Sequence, residues 1–462
     1  MATRRAYTIT DLGGGDGGKG SVIHKVCCTT NAHTILKLGG AQGNHGIRTS
    51  RGQAFNFSQF GCGTLEGART HITQWMVVEP YGFMYEAEKL CYDFGVRDVF
   101  AMVTVDRDAL CITPFHTFAS ELQELARKDK PKGTCGVGAG VAVLDAESHP
   151  ETAIHVSDLV SDGLRDKLAA IRERMIRNLA QITSQIESLW PEDLETARKI
   201  AGFLDDESLL DRVVRKFQEM GRSVRITGKE FLQELLREDG TVVVESSHGI
   251  LTDRYYGFHP NVSRLRTVPT AIWQMLEELG YDGKVFKLGV CRAYAIRHGA
   301  GPMVTEDGSM VEHLLPGSQK DDNRWQGKVR VGPLDYVALR YAANCCGGPN
   351  VFDGLAVTWL DQIPVYGHWK VCNSYKGADD PELFTPEGEI IVRHGTDEQQ
   401  VQRQERLGIA LRKCRPVITS HNVSGMETDA LVELCRKEML EKLGIPVCMV
   451  SLGPTENEKR LF

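Results

Sequence analysis

The residues best placed to do chemistry stand together near the start of the chain, in DLGGGDGGKG (11–20). Gly13 and Gly18-Lys19 satisfy the spacing G-x-x-x-x-G-K of a phosphate-binding loop. In such a loop backbone amides and a following helix N-terminus cradle anions, and the lysine reaches the outer phosphates. Gly20 stands where a serine or threonine usually holds magnesium. Asp16 is an acid inside a loop that should receive phosphate. That placement makes sense if it binds Mg²⁺, takes a proton, or both. His45 in GGAQGNHG (39–46), His248 in VESSHG (244–249) and Asp361 closing VTWLD (357–361) add further acid–base and hydrogen-bonding capacity.

These groups need strands and tight turns to hold them. AYTIT ahead of the first loop, TILKLGG (34–40), VFAMVTVD (99–106), TVVVESSHG (241–249), KVFKLGVCRAYAIRHGAGP (284–302), VFDGLAVTWLD (351–361) and a final IPVCMVSLGP (445–454) read as strands ending in glycines or polar residues. TFASELQELARKDKP reads as a helix stopped by Pro131, and ETDALVELCRKEMLEKLG as a helix near the end. Residues 156–238 carry a helical period and predict a mainly helical subregion covering a sheet. DDNRWQGKVR (321–330) predicts an exposed loop. Strand, glycine turn and helix in alternation predict an α/β fold: a large, mostly parallel central sheet with flanking helices and small antiparallel subregions, in one large domain over 1–462. Ligands then sit at the carboxyl ends of the strands.

The chain has 462 residues, 42% of them hydrophobic, enough for a large core. A net charge of −7 argues against nonspecific nucleic-acid binding. No apolar leader and no run of about 20 apolar residues is seen, which predicts a cytoplasmic protein with no membrane partner. Thirteen cysteines without C-x-x-C spacing predict reduced, mostly buried thiols.

GDGGKG resembles the GDEGKG signature of the adenylosuccinate synthetase family, with Gly17 in place of the glutamate. GGAQGNHG resembles GGxNAGHT, GTCGVGAG (133–140) resembles GTTGRGIGP, and VESSHGILTD resembles FEGAQGTxLD. GFHPNVS (257–263), AGPMVTE (300–306), VTWLD and SLGP (451–454) resemble GTYPYVTSS, AGPFPTE, LTKLD and STGP. The matches keep the family order from residue 11 to residue 454. The family joins aspartate to IMP using GTP. An acid deprotonates N1 of the 6-oxopurine, the oxyanion takes the γ-phosphoryl group, and the amine displaces phosphate. The resemblance implies Asp16 as base and Mg²⁺ ligand, the Asn44 carbonyl as a second metal contact, and His45 as donor to the transferring phosphoryl group. It implies His248 near the 6-oxygen, Gly15, Gly18, Lys19 and Gly20 on the GTP phosphates, and Asp361, Ser451, Gly453 and Pro454 around guanine. Gln42, Thr134, Cys135, Ser263, Lys328 and Arg330 are implied as substrate contacts, and Arg264 is a candidate contact beside them. The family also implies a homodimer.

Three departures point to a specialised relative. After GTCGVGAG no Arg or Lys follows until Arg165, so the family's arginine that crosses the dimer to the IMP phosphate has no counterpart. Arg264 and Arg266 stand where the family has small polar residues; they replace it or are surface charges. The amino-acid loop TTGRRRRTGW reads RWQGKVRVGP (324–333), with Trp325 as a reshaping residue. TKLD has become TWLD, so that Trp359 stacks on a purine or joins the core. A side branch of the family acts on deoxyguanylate, and its phage members lose the first-loop acid; retention of Asp16 argues against a 2-amino purine here. The leading expectation is a GTP- and Mg²⁺-dependent C–N ligase acting on a purine nucleotide and an amino acid. The alternatives are a paralogue with another nucleotide, nucleoside or amine, a phosphotransferase that stops at phosphorylation, and a non-catalytic GTP-binding assembly protein.

Overall fold

The structure, a computed structural model, describes residues 4–315 and 324–462. Five early strands and one helix organise the site: β1 (Arg5–Asp11), helix α1 (Lys19–Thr30), β2 (Thr34–Gly40), the hairpin β3 (His45–Arg48) and β4 (Ala54–Phe57), and β5 (Arg69–Val78). The central sheet runs, edge to edge, Lys459–Leu461, Val447–Ser451, Gly354–Thr358, Lys284–Arg292, β1, Thr241–Ser246, β2, β5, Val103–Asp106 and Arg225–Thr227. The neighbours along this path are parallel, except that Lys459–Leu461 returns antiparallel on Val447–Ser451. The fold is the expected α/β architecture, and small antiparallel pairs stand beside it (Ala295–His298 with Val329–Gly332; His368–Lys376 with Arg415–Asn422).

The middle strands are covered on both faces, as a parallel sheet requires, and they read as near-continuous apolar runs. All six residues of Thr241–Ser246 are buried. On one side Ile9, Ile35, Ile72 and Val243 join a core reaching Leu168 and Phe217. On the other, Leu12, Leu355 and Val357 join one reaching Tyr341 and Trp369. Because the strands run the same way, the first loop, Gly39–Asn44, Ser247–His248, Trp359–Asp361 and the turn after Ser451 all emerge at one edge of the sheet.

Several expectations are corrected. Residues 99–106 are only half strand: Val99–Met102 form a 3₁₀ turn, and Val103–Asp106 pair with β5. The helix before Pro131 ends at Ala126, short of the charged run. The helical stretch 156–238 does hold helices Leu164–Ser184, Pro191–Asp205, Glu207–Ser223 and Lys229–Leu236, but it also donates the edge strand Arg225–Thr227. Val447–Ser451 is not the last strand. Within the loop expected over 321–330, residues 321–323 lie outside the described residues, and Val329 begins a strand. All thirteen cysteines are free thiols. Among the described residues no helix is long and apolar enough to cross a membrane.

Candidate active site

The first loop is built around an acid that spacing did not single out. Asp11 ends β1 with its side chain fully enclosed. Its carboxylate accepts from the Gly13 amide and the Gly17 amide, each at 2.9 Å, and from Lys19 Nζ at 3.2 Å. A Cβ on Gly17 would lie 2.8 Å from that carboxylate, so glycine is required there. Lys19 also donates to the His248 carbonyl at 2.6 Å and is itself buried. The expected picture, in which Lys19 reaches out to phosphate and the loop amides face the ligand, is therefore modified. Lys19 and two of the amides form the floor of the loop. The anion-binding groups left are the first-turn amides of α1, whose N-cap Gly18 provides no side-chain cap.

Gly15 and Asp16 both take left-handed backbone conformations, with φ of 101° and 56°. An aspartate tolerates this better than most residues. Arg292 Nε donates to the Asp16 carbonyl at 2.6 Å, and Thr358 Oγ1 donates to the Gly17 carbonyl at 2.7 Å, which hold the turn from below. The Asp16 carboxylate is left about one-third exposed, and its nearest ionisable neighbour is His298 Nδ1 at 3.9 Å. A half-open carboxylate with free lone pairs fits Mg²⁺, which takes one or two carboxylates and completes its shell with phosphate oxygens and water.

His45 begins β3 and packs against α1. A Cβ on Gly20 would sit 2.9 Å from the His45 carbonyl carbon and 3.0 Å from the Gly46 oxygen. Glycine in place of Ser/Thr thus lets the hairpin approach the helix. His45 Nδ1 lies 2.6 Å from Glu245 Oε1. The fully buried Glu245 also accepts from Lys37 Nζ at 2.7 Å and from the Cys62 amide at 2.9 Å. Burial would raise the Glu245 carboxyl, but Lys37 and His45 outweigh it and hold it well below the ordinary range. Burial lowers His45, against the pull of Glu245. The imidazole is then neutral with its proton on Nδ1, and Nε2 makes no hydrogen bond to the described residues.

His248 also has positive φ, 65°. Its Nε2 accepts from the Gln42 amide at 2.9 Å. Burial, helped by Lys19 and His45, lowers it to about 4. His248 is therefore a neutral donor–acceptor at neutral pH, much as an amide would be. Gln42 Oε1 is buried without a partner. Asn44 is exposed at the mouth, just before His45.

On the far side, Leu360 N donates to the Ser451 carbonyl at 3.2 Å, joining the TWLD turn to SLGP. Asp361, raised by burial, accepts from the Gln362 amide. Ser451 Oγ donates to the Gly453 carbonyl, and Lys459 donates to the Pro454 carbonyl. Trp359 has one face covered by the Arg292 guanidinium, 4.5 Å from the ring centroid, so Arg292 ties this turn to the first loop. The tip of the β3–β4 hairpin is fastened here too: Ser50 donates to Glu456.

The remaining expected contacts separate into two groups. Gln42's neighbour Ala41, Ala139 and Ala142 pack together with Val137 and Leu265, which brings Thr134, Cys135, Ser263 and Arg264 to one wall. Thr134 Oγ1 accepts from the Gly136 amide, and burial raises the Cys135 thiol. Ser263 Oγ accepts from Leu265 N. Arg264 lays its stem on Gly140 and makes no ion pair or hydrogen bond to the described residues. Beside it Lys132 is lowered to about 8 by burial and by Arg264. Arg330 is different: its guanidinium donates to the Gly299 and Gly301 carbonyls and pairs with Glu306 at 2.8 Å, so it shapes the Gly299–Gly301 turn instead of awaiting a carboxylate. Lys328 is exposed. Trp325 lies over Gly136, where a Cβ would be 2.6 Å from its ring. Asp11, Glu245, Arg292 and Lys132 were not anticipated. The only available hint was an acid or base within a few residues of a glycine loop.

The profile of the adenylosuccinate synthetase family matches residues 9–459. The adenylosuccinate synthetase of Chlorobium phaeovibrioides is 27% identical over 401 residues, covering 83% of this chain and 80% of that protein. The Bacillus cereus enzyme is 26% identical over 396 residues, covering 84% and 82%. Among solved structures, fully ligated adenylosuccinate synthetase from Plasmodium falciparum superposes with a TM-score of 0.75 at 18% identity, covering 99% of both chains. Cyanophage S-2L succinoaminodeoxyadenylate synthetase, bound to dGMP and dATP, superposes with a TM-score of 0.59 at 14% identity, covering 99% and 95%.

Proposed function

The chain belongs to the adenylosuccinate synthetase family of GTP-dependent C–N ligases, and from that premise we propose that it activates a 6-oxopurine nucleotide with GTP and couples it to an amino acid, by default IMP and aspartate. The observation that carries this reading is the meeting of Asp16, His45 and the Gln42–His248 pair at one sheet edge, with Lys19 beneath them.

The chemistry follows from these positions. The Asp16 carboxylate takes the N1 proton of the purine, and the charge moves to O6. The neutral His248–Gln42 pair hydrogen-bonds at the 6-position and excludes water. O6 attacks the γ-phosphorus in line, and His45, its Nδ1–H fixed on Glu245, takes up a proton on Nε2 as the anionic group binds and donates it in a hydrogen bond to the transferring oxygens. The amine then displaces phosphate at C6. Asp16 and the Asn44 carbonyl would hold Mg²⁺, which would neutralise phosphate charge. Asp361 reads guanine N1–H and N2–H₂, between Ser451 and Pro454.

Arg264 and Lys132 support a substrate with a 5′-phosphate. Two neighbouring cations, one without a protein partner, beside the start of helix Ala139–Ser148, form an electropositive wall within one subunit. They stand in for the family's cross-dimer arginine. The engagement of Arg330 favours an amine recognised differently from the family's arginine-rich loop, with Lys328 as the exposed cation there. We take the functional unit to be a homodimer, each site lying within one large domain whose sheet uses strands from both ends of the chain.

The test is inorganic phosphate release from GTP and Mg²⁺ with IMP, dIMP, GMP, dGMP or inosine, each with and without aspartate. Release that needs both IMP and aspartate supports the reading. GDP formation with a nucleotide alone and no matching inorganic phosphate makes the protein a phosphotransferase. GTP binding with silence throughout overturns catalysis.

A further inference from the structure

On α1, one turn beyond the phosphate-binding end, His24 and Cys28 occupy positions i and i+4 and face the same way. Glu66, in the 3₁₀ turn Thr64–Glu66, meets them. His24 Nε2 lies 3.2 Å from Glu66 Oε1 and 3.6 Å from Cys28 Sγ, and all three donor atoms fall within 4.8 Å of one another. A tetrahedral Zn²⁺ with bonds of about 2.0–2.3 Å separates its N, S and O ligands by roughly 3.3–3.6 Å. Two of the three separations are therefore already close to ligand spacing, and the third is within 4.8 Å. His24 is buried, while Cys28 is partly open, and a crevice lined by Cys28, Asn31, His33 and Glu66 leads in from solvent.

We propose that His24, Cys28 and Glu66 form a binding site for a thiophilic divalent cation of the Zn²⁺ class, with water as fourth ligand. None of the three takes part in the cleft described above. The place already attracts positive charge: Arg51 pairs with both Glu66 oxygens, and its side chain is 56% exposed, so it can yield Oε1 and keep Oε2. On binding, the Cys28 proton leaves to solvent, and the thiolate, the His24 Nε2 lone pair and Glu66 Oε1 coordinate. The second such grouping among the described residues, His45, Cys62 and Glu245, is closed to a metal, because the buried Lys37 ammonium already occupies Glu245.

The experiment is titration of the tag-free, full-length protein with Co²⁺, followed by the thiolate-to-cobalt charge-transfer band and the visible d–d bands. One equivalent should produce both, and Zn²⁺ should abolish them while millimolar Mg²⁺ should not. Cys28→Ser should remove the charge-transfer band, and Cys62→Ser should keep it. Arg51→Ala, a surface change that leaves all three ligands in place, should tighten binding roughly two- to fivefold, the weight of an exposed ion pair. Absence of the band in the wild-type protein, or its persistence in Cys28→Ser, would overturn the assignment.

Discussion

His45 Nδ1 and Glu245 Oε1 are 2.6 Å apart, although 200 residues separate them in the chain. This contact fixes the imidazole's orientation and tautomer, and it shares its carboxylate with Lys37. Replacing the two partners should give opposite signatures. His45→Asn should cut turnover by about 10²–10⁴ while changing stability little. Glu245→Gln leaves Lys37 buried without its anion and should destabilise the fold by about 3–5 kcal/mol. Denaturant unfolding alongside phosphate release separates the two. Because the folded Glu245 carboxyl is depressed, its contribution is complete above the ordinary carboxylate range and is lost only as pH falls well below it.

The two acids of the first loop should behave differently. Asp16 has an open carboxylate with no hydrogen bond to the described residues, and asparagine tolerates its left-handed backbone. Asp16→Asn should therefore lose at least about a hundredfold in turnover and weaken Mg²⁺-dependent GTP binding, with melting temperature unchanged. Asp11→Asn removes the charge facing Lys19 and disturbs two amide contacts. It should cost about 3–5 kcal/mol of stability and weaken GTP binding with it. Equal loss of stability in both variants would show that the roles have been misassigned.

How far the sequence reveals this site depends on distance along the chain. Asp16, Gln42, His45 and His248 are legible because each lies beside a glycine in or at the end of a loop that follows a strand, and Asp361 because it closes a strand-like run; parallel topology gathers such ends. Asp11 and Glu245 are not: Asp11 is the last residue of a strand and is overshadowed by the glycine loop that follows, and Glu245 sits inside a strand and reads as a stray charge in an apolar run. Their partners, Lys19 and Lys37, come from other elements. Arg330 looks like a substrate ligand until the Gly299–Gly301 carbonyls it holds are placed next to it. The edge strand Arg225–Thr227 is too short for its period to stand out from the helices around it.

His248 offers a test by pH. Its folded value of about 4 lies below an unfolded value near 6.5. The unfolded chain binds the extra proton first, so stability is fully present above about 6.5 and falls as pH drops toward 4, by about 2–3 kcal/mol. His71, lowered to about 4 by burial alone, adds to the same slope. His248→Gln should reduce the slope without removing it. It should also keep activity within about tenfold, because an amide can make the hydrogen bonds of a neutral imidazole. Urea midpoints of both proteins at pH 7 and pH 4.5 check the first point.

The wall formed by Arg264 and Lys132 predicts a change in KM for one substrate only. Arg264→Ala should raise KM for the 5′-nucleotide about ten- to a hundredfold, the worth of a charge-assisted phosphate contact. KM for GTP should not move, and any activity on inosine should be unaffected. Lys132, lowered to about 8 by burial and Arg264, should lose its hold on phosphate as pH rises through that value. Nucleotide KM measured from pH 7 to 9 should climb in the wild type and stay flatter in Lys132→Met. A uniform rise in both substrates' KM would instead mean general loosening of the loop.

Gly20 decides whether this loop is a degraded phosphate-binding motif or a different solution. If the missing hydroxyl were a defect, Gly20→Ser should improve metal and GTP binding. The backbone argues otherwise. A Cβ there meets the His45 carbonyl carbon and Cβ at 2.9 Å and the Gly46 oxygen at 3.0 Å, and the first two of these are closer than real Cβ atoms come. The hairpin must move away from α1 to make room, carrying His45 off Glu245. Gly20→Ser should therefore lower stability by about 1–3 kcal/mol and turnover by about tenfold or more, and Gly20→Ala should do the same without any hydroxyl. Matching losses in the two variants, by urea unfolding and phosphate release, would assign the glycine to close packing. Improved activity in Gly20→Ser alone would restore the conventional role of that position.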